Sequence, residues 1–221
     1  MRIVREPDFL ARTRVSYDSI AAEFAGWIED ELAAKPLDRA VLGGFAELAG
    51  RGLVADIGCG TGRVTAHLHR LGLRVFGIDL SPNMIAQAID RYPDLRFEVG
   101  SMTALDVADG SLGAIVAWYS IMHVPPDRLP AVFAEFHRVL APGGHLQLAF
   151  PAGEGLVHRT DAGGHEVSLD FHQWHPDEVA GLLREAGFEE RARLVREPDE
   201  DGKYAETTRQ AFLLARKRDA V

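Results

Sequence analysis

The stretch Val54-Ala55-Asp56-Ile57-Gly58-Cys59-Gly60-Thr61-Gly62 constrains the fold more than any other part of the chain. An apolar run ends in an acid, and glycines then fall at alternate positions. Glycine there permits a tight turn and lets the backbone come close to a ligand. The helix expected to begin near Gly62 presents free N–H groups and a positive field to that ligand. Downstream, short apolar runs alternate with amphipathic stretches, which predicts a parallel α/β sheet. The expected strands are Leu53–Ile57, Arg74–Ile78, Arg96–Val99, Leu112–Trp118 and His145–Phe150, with helices at Gly62–Leu71, Pro82–Tyr92 and Arg128–Leu140 between them. Each strand-to-strand step is long enough for a right-handed crossover.

The flanks read differently. Tyr17–Ala34 places Ile20, Ala21, Phe24, Trp27, Ile28 and Leu32 on one helical face, and a second helix is expected over Leu37–Ala49. Residues 1–50 are thus expected to form a helical cap on a single domain whose core spans 51–221. Ala152–Gly164, rich in glycine, reads as a mobile loop, and Glu166–Trp174 alternates loosely enough for a strand. A helix starts at His175-Pro176-Asp177 and runs to about Gly187. Phe188–Val195 and Arg209–Leu214 then read as an antiparallel hairpin, joined around Pro198–Gly202. The acidic run Glu197–Asp201 reads as a solvated turn.

Composition narrows the function. The chain has 221 residues, 47% hydrophobic and 26% charged, with a formal net charge of −9. That length suits one domain. The acidic balance disfavours a general binder of nucleic-acid phosphates. No apolar run is long enough to span a membrane, and Met1–Asp8 lacks the apolar core of a signal peptide. A single cysteine, Cys59, excludes an intrachain disulfide, so a reducing, cytoplasmic setting is expected.

Two carboxylates decide the ligand class. A dinucleotide fingerprint needs Gly-x-Gly-x-x-Gly with the pyrophosphate on the helix start. Here Arg63 occupies the last glycine's place, and Asp56 stands directly before the loop. A carboxylate facing a pyrophosphate is unfavourable, whereas one facing an ammonium is useful. The loop therefore points to a cationic or zwitterionic ligand, with a nicotinamide dehydrogenase as the weaker alternative. Asp79 follows 21 residues after Gly58, at the end of the second strand. There it can bind both hydroxyls of a ribose. Its other possible role, capping the helix at Pro82, suits Ser81 better.

Three motifs in order, Asp56–Gly62, Asp79-Leu80-Ser81-Pro82-Asn83-Met84 and Leu140-Ala141-Pro142-Gly143-Gly144, resemble the class I S-adenosylmethionine-dependent methyltransferases. The chain looks most like their small-molecule branch, the group of the ubiquinone and menaquinone biosynthesis methyltransferases. That resemblance implies a Rossmann-like seven-stranded sheet, mostly parallel with its last strand antiparallel, under an N-terminal helical lid. It implies S-adenosyl-L-methionine as cofactor and S-adenosylhomocysteine as product. Asp56, Gly58, Cys59, Gly60, Thr61 and Gly62 would hold the methionine end, and Asp79 the ribose. Leu80, Met84, Ser101 and Met102 would surround the adenine, although the acid usual after the third strand is absent from Gly100-Ser101-Met102. Tyr17 would reach the cofactor or the acceptor, or simply pack in the cap. Trp118 stands at the cofactor's edge or in the core.

His123 and Tyr119 follow the fourth strand, where ligands of open α/β sheets sit. His123 is the candidate general base, with acceptor lining or a structural role as alternatives; Tyr119 could orient the acceptor. The segment at about 151–175 would cover the acceptor, with Arg159 and His172 as candidate contacts. The histidines near it lack a metal-binding spacing, so no metal is expected. Cys59 reads as packing, not as a nucleophile. The expected partner is a small organic acceptor, methylated on O, N or C by in-line displacement, with no nucleic acid and no membrane, in a monomer or homodimer. A protein that binds the cofactor without transferring the methyl is the alternative from another class.

Overall fold

The computed structural model describes residues 7–219. Seven strands form one sheet: β1 (Leu53–Ile57), β2 (Arg74–Asp79), β3 (Arg96–Val99), β4 (Leu112–Trp118), β5 (Leu140–Ala152), β8 (Phe188–Arg196) and β9 (Arg209–Lys217). Their order is β3-β2-β1-β4-β5-β9-β8, and β9 alone runs antiparallel to its neighbours. The chain winds outward from β1 in one direction and from β4 in the other. The crevice at the strands' C-terminal ends opens at that reversal.

Alternation along the strands assigns each face its helices. Ala55, Ile57, Ile115 and Leu148 pack with Phe133 and Phe136 of α6 (Leu129–Val139) and Leu183 of α7 (Pro176–Glu185). Val54, Val75, Val116 and Trp118 pack with Leu42 and Phe45 of α3 (Pro36–Ala49) and Val64 and Leu68 of α4 (Arg63–Arg70). The α5 helix (Pro82–Arg91) starts on Ser81, whose Oγ accepts the Met84 N–H at 3.1 Å, as a helix cap should.

The cap differs from expectation at both ends. The first helix, α1, spans Asp8–Trp27, and α2 is a short turn at Glu31–Ala34. The single helix expected through Ala34 breaks between them, where the Asp30 N–H leaves the helical pattern to reach the Tyr204 hydroxyl at 3.2 Å.

The glycine-rich stretch expected to be a loop contains β6 (Leu156–Ala162), paired antiparallel with β7 (His165–His172) as a separate hairpin. Gly163 and Gly164, at φ +62° and +86°, make its two-residue turn. Hairpin turns of this kind need two positive-φ residues. The acidic run also departs from a free solvated turn. Buried Lys35 meets Asp199 at 2.7 Å and Glu206 at 3.1 Å, pinning both ends of the connection before β9. Among the described residues, no helix is long and apolar enough to cross a membrane.

Candidate active site

A cavity of about 450 Å³ lies at the C-terminal ends of β1, β2 and β4, roofed by α1 and the β6–β7 hairpin. The three loop glycines have different physical roles there. All hold left-handed backbone, at φ +78°, +54° and +82° for Gly58, Gly60 and Gly62. A Cβ on Gly58 would lie 2.2 Å from the Ser120 Cβ, so that glycine permits contact between two backbone segments. Gly60 lines the cavity, and a Cβ there would meet nothing within 4 Å. Its bareness leaves room for a ligand to approach the main chain. Gly62 sits against Phe97, 2.7 Å from a Cβ built on it.

Asp56 is fully buried at the cavity wall. Its Oδ2 accepts the Thr65 hydroxyl at 2.6 Å, while Oδ1 has no partner. Burial pushes its pKa up from near 3.8 to about 7, against the opposing pull of the Thr65 bond and the Arg63 charge. An uncompensated buried carboxylate of this kind suits a cationic partner. Asp79 faces the same cavity; its Oδ2 accepts the Gly60 N–H at 2.8 Å and its Oδ1 the Ser81 N–H at 2.9 Å. Each oxygen keeps a second lone pair for a ligand. Leu80, Met84, Ser101 and Met102 line the cavity beyond it. The Ser101 hydroxyl also meets Thr103 Oγ1 at 2.8 Å.

Tyr17 and His123 form one unit. The Tyr17 hydroxyl is 2.8 Å from His123 Nε2, and His123 Nδ1 is 2.8 Å from the Asp170 carbonyl. A carbonyl only accepts, so Nδ1 carries the proton and Nε2 accepts from Tyr17. Both ring nitrogens are therefore engaged. Burial lowers the imidazole's pKa from 6.5 to about 4, and burial raises that of the Tyr17 phenol. Tyr17 thus engages the lone pair that the expected general base would use.

Tyr119 and Trp118 line the cavity, and Arg159 reaches it with its guanidinium 5.2 Å above the Phe171 ring. Cys59 lines it too, its thiol pushed up by burial, as packing requires and nucleophilic attack does not. Three expected site residues do not line it. Thr61 is buried behind the loop, and Gly62 packs on Phe97. His172 stacks on Trp174 at 5.7 Å, because alternation along β7 turns Leu169 and Phe171 inward and His172 away. Sequence reading missed Gln210 and Glu206, which line the cavity from the start of β9 and the connection before it. A glutamine directly before the apolar run Ala211–Leu214 was the available signal. Among the described residues no group of three His, Cys, Asp or Glu side chains could hold a metal ion.

Comparison with known proteins agrees with this geometry. Residues 54–144 match the methyltransferase domain family. A demethylmenaquinone methyltransferase of Beutenbergia cavernae is 38% identical over 96 residues, 43% of this chain and 39% of that one. The ubiquinone/menaquinone biosynthesis C-methyltransferase UbiE of Desulfotalea psychrophila is 36% identical over 167 residues, 63% of this chain and 66% of that one. The alignments thus span about two fifths of the first of these relatives. The 1,6-didemethyltoxoflavin-N1-methyltransferase of Burkholderia thailandensis, solved with 1,6-didemethyltoxoflavin and S-adenosylhomocysteine, superimposes with a TM-score of 0.74 at 24% identity, covering 98% of this chain and 94% of that one. Residues 54–144 thus resemble a methyltransferase domain, and the chain has the fold of solved S-adenosylmethionine-dependent methyltransferases. Within that class its sequence is similar to the menaquinone and ubiquinone biosynthesis enzymes.

Proposed function

We propose that this chain transfers a methyl group from S-adenosylmethionine to a small organic acceptor held beneath α1 and the β6–β7 hairpin. The observation that carries the reading is the unpartnered Oδ1 of buried Asp56 beside the open face of Gly60. The site fits this cofactor by its donor set. A buried acid whose Oδ1 has no partner among the described residues suits the methionine ammonium, and the lone pairs of Asp79 suit ribose hydroxyls. Bound there, the cofactor supplies a methyl already activated by its sulfonium charge.

The chain's own work is then positioning and exclusion of water. Asp18 ties the lid to the cofactor side, accepting the Ser81 hydroxyl at 2.6 Å and the Asn83 N–H at 3.1 Å. His123 orients the Tyr17 hydroxyl rather than taking a proton directly, and Arg159 offers a charge to the acceptor's far end. With no free histidine lone pair, the atom to be methylated is one that needs no strong base: a neutral amine or ring nitrogen, or an oxygen or carbon that ionises readily.

Calorimetric titration with S-adenosylhomocysteine, followed by incubation with methyl-labelled S-adenosylmethionine and a cell extract, tests the reading. Binding with label moved to a small molecule supports it. Binding without any transfer favours a cofactor-binding protein that does not methylate, and failure to bind sinks both.

A further inference from the structure

Besides Asp56 Oδ1 and Arg63 Nη1, three buried polar atoms of cavity-lining residues have no partner among the described residues: the indole Nε1 of Trp118, the hydroxyl of Tyr119 and Oε1 of Gln210. Gln210 stands farthest from the ribose end, while Trp118 and Tyr119, on and just after β4, are two strands or roughly 10 Å from β2. Asp79 ends β2, and β1, β4 and β5 separate that strand from β9, where Gln210 sits. At roughly 4.8 Å per strand this is about 19 Å.

Sheet register brings the three together. Trp118, Ala149 and Phe212 form one row across β4, β5 and β9. Period two then places Gln210 on the same face, one step nearer the cavity. Tyr119 follows Trp118 directly, so regular alternation would send it to the opposite face. Its left-handed backbone, at φ +53°, breaks the alternation. Its ring instead stands edge-on to Trp118, with centroids 6.0 Å apart, and packs on the same cluster. Such backbone is costly for a tyrosine.

The donor pattern of the subsite is fixed. Gln210 Nε2 donates to the Thr208 carbonyl at 2.8 Å and to Thr208 Oγ1 at 3.4 Å. Turning the amide over would set two carbonyl oxygens against each other, so Oε1 faces the cavity as an acceptor. An indole N–H can only donate, and a tyrosine hydroxyl does either. The neighbouring charges are committed elsewhere. Arg196 meets Glu206 at 2.5 and 2.8 Å and Asp38 at 3.2 Å, and Glu206 is also held by Lys35.

We infer that Trp118 Nε1, the Tyr119 hydroxyl and Gln210 Oε1 form a recognition subsite for an uncharged acceptor group that carries a hydrogen-bond acceptor beside a donor, as on the edge of a lactam, an imide or an oxo-heterocycle. This assignment rests on the methyltransferase reading above. A carboxylate would set its lone pairs against Gln210 Oε1, and an ammonium would set its N–H groups against the Trp118 N–H. Either mismatch leaves a buried polar group unsatisfied, which is the basis of strong discrimination.

The Trp118 indole proton reports on the subsite directly. The chain has three tryptophans, and Trp118→Phe identifies its signal in an 15N-labelled spectrum. The probes are uracil and 1,3-dimethyluracil, added to protein saturated with S-adenosylhomocysteine. The expected result is a saturable shift of the Trp118 signal by uracil and at least tenfold weaker binding of the dimethylated ring. Gln210→Leu and, separately, Tyr119→Phe should each reduce that preference, with S-adenosylhomocysteine affinity for Gln210→Leu within twofold of the parent. Equal binding of the two probes overturns the subsite, as does a Trp118 signal that uracil leaves in place up to its solubility limit. A Trp118 signal shifted by S-adenosylhomocysteine and then indifferent to uracil assigns these atoms to the cofactor and also overturns it. Failure of S-adenosylhomocysteine to bind sinks the methyltransferase reading instead, so the two failures are distinguishable.

Discussion

Replacing Asp56 by Asn should stabilise the free protein while weakening cofactor binding. The fold holds this carboxyl at about 7 against an ordinary value near 3.8. At 1.36 kcal/mol per pH unit, ionised Asp56 costs the fold about 4 kcal/mol above pH 7. The sign follows from the direction of the shift. Below pH 3.8 the carboxyl is protonated in both states and costs nothing; the penalty grows as pH rises towards 7. Asparagine removes the charge and keeps an oxygen for the Thr65 hydroxyl, but it brings N–H donors to the side where Oδ1 has no partner. Those donors cost about 1–3 kcal/mol. At pH 8 the variant should therefore gain about 1–3 kcal/mol, a rise in Tm of roughly 2–10 °C for a chain of this size. Near pH 4 the gain should vanish or reverse. Loss of a charge-assisted bond to the ligand ammonium should cost about 1.5–3 kcal/mol, roughly 10- to 100-fold in Kd for S-adenosylhomocysteine. Thermal unfolding at the two pH values and calorimetric titration read both effects. A variant that is destabilised equally at pH 4 and pH 8, or that binds S-adenosylhomocysteine as the parent does, would refute the reasoning.

Three further outcomes are expected. Gly62→Ala should cost about 2–3 kcal/mol by denaturant unfolding, since φ is +82° and the new Cβ would press on Phe97 and Ala88; an unchanged midpoint contradicts that packing. His123, lowered from 6.5 to about 4, binds its proton more readily in the unfolded chain, so the fold should lose up to about 3 kcal/mol as pH falls from 6.5 to 4. His123→Gln should flatten that part of the pH–stability curve, and an unaltered slope argues against a buried neutral imidazole. Arg196→Met strands the buried Asp38 and half-buried Glu206 and should cost about 3–5 kcal/mol; Arg193→Ala, which breaks pairs with the exposed Asp177 and Glu190, should cost less than about 1 kcal/mol.

What was legible in the sequence follows from the range of the physics involved. The five parallel strands announce themselves locally, because buried strands such as Leu112–Trp118 are continuous apolar runs and glycines mark the loop after β1. Asp56 and Asp79 were legible because each stands at or next to the end of a strand that faces the crevice. The β6 strand was not, since Leu156–Asp161 is exposed on both faces and carries no alternation. Only Gly163-Gly164 betrayed its turn. The Tyr17–His123 pair joins residues 106 positions apart, and nothing local to either residue shows that the hydroxyl occupies the imidazole lone pair. The tie between Lys35 and Asp199 was hidden for the same reason. Gln210 looked like a strand residue; its significance lies in Thr208 fixing its amide and in the reversed backbone at Tyr119.

The central claim is that this cavity delivers a methyl group to a small molecule. The most direct test is incubation with S-adenosylmethionine carrying a 13C methyl and an extract of the cells that make the protein, read by mass spectrometry beside the Asp56→Asn variant. The account predicts a labelled low-molecular-weight product that the variant forms far more slowly. Stoichiometric binding of S-adenosylhomocysteine with no label transferred to any component of the extract would contradict it.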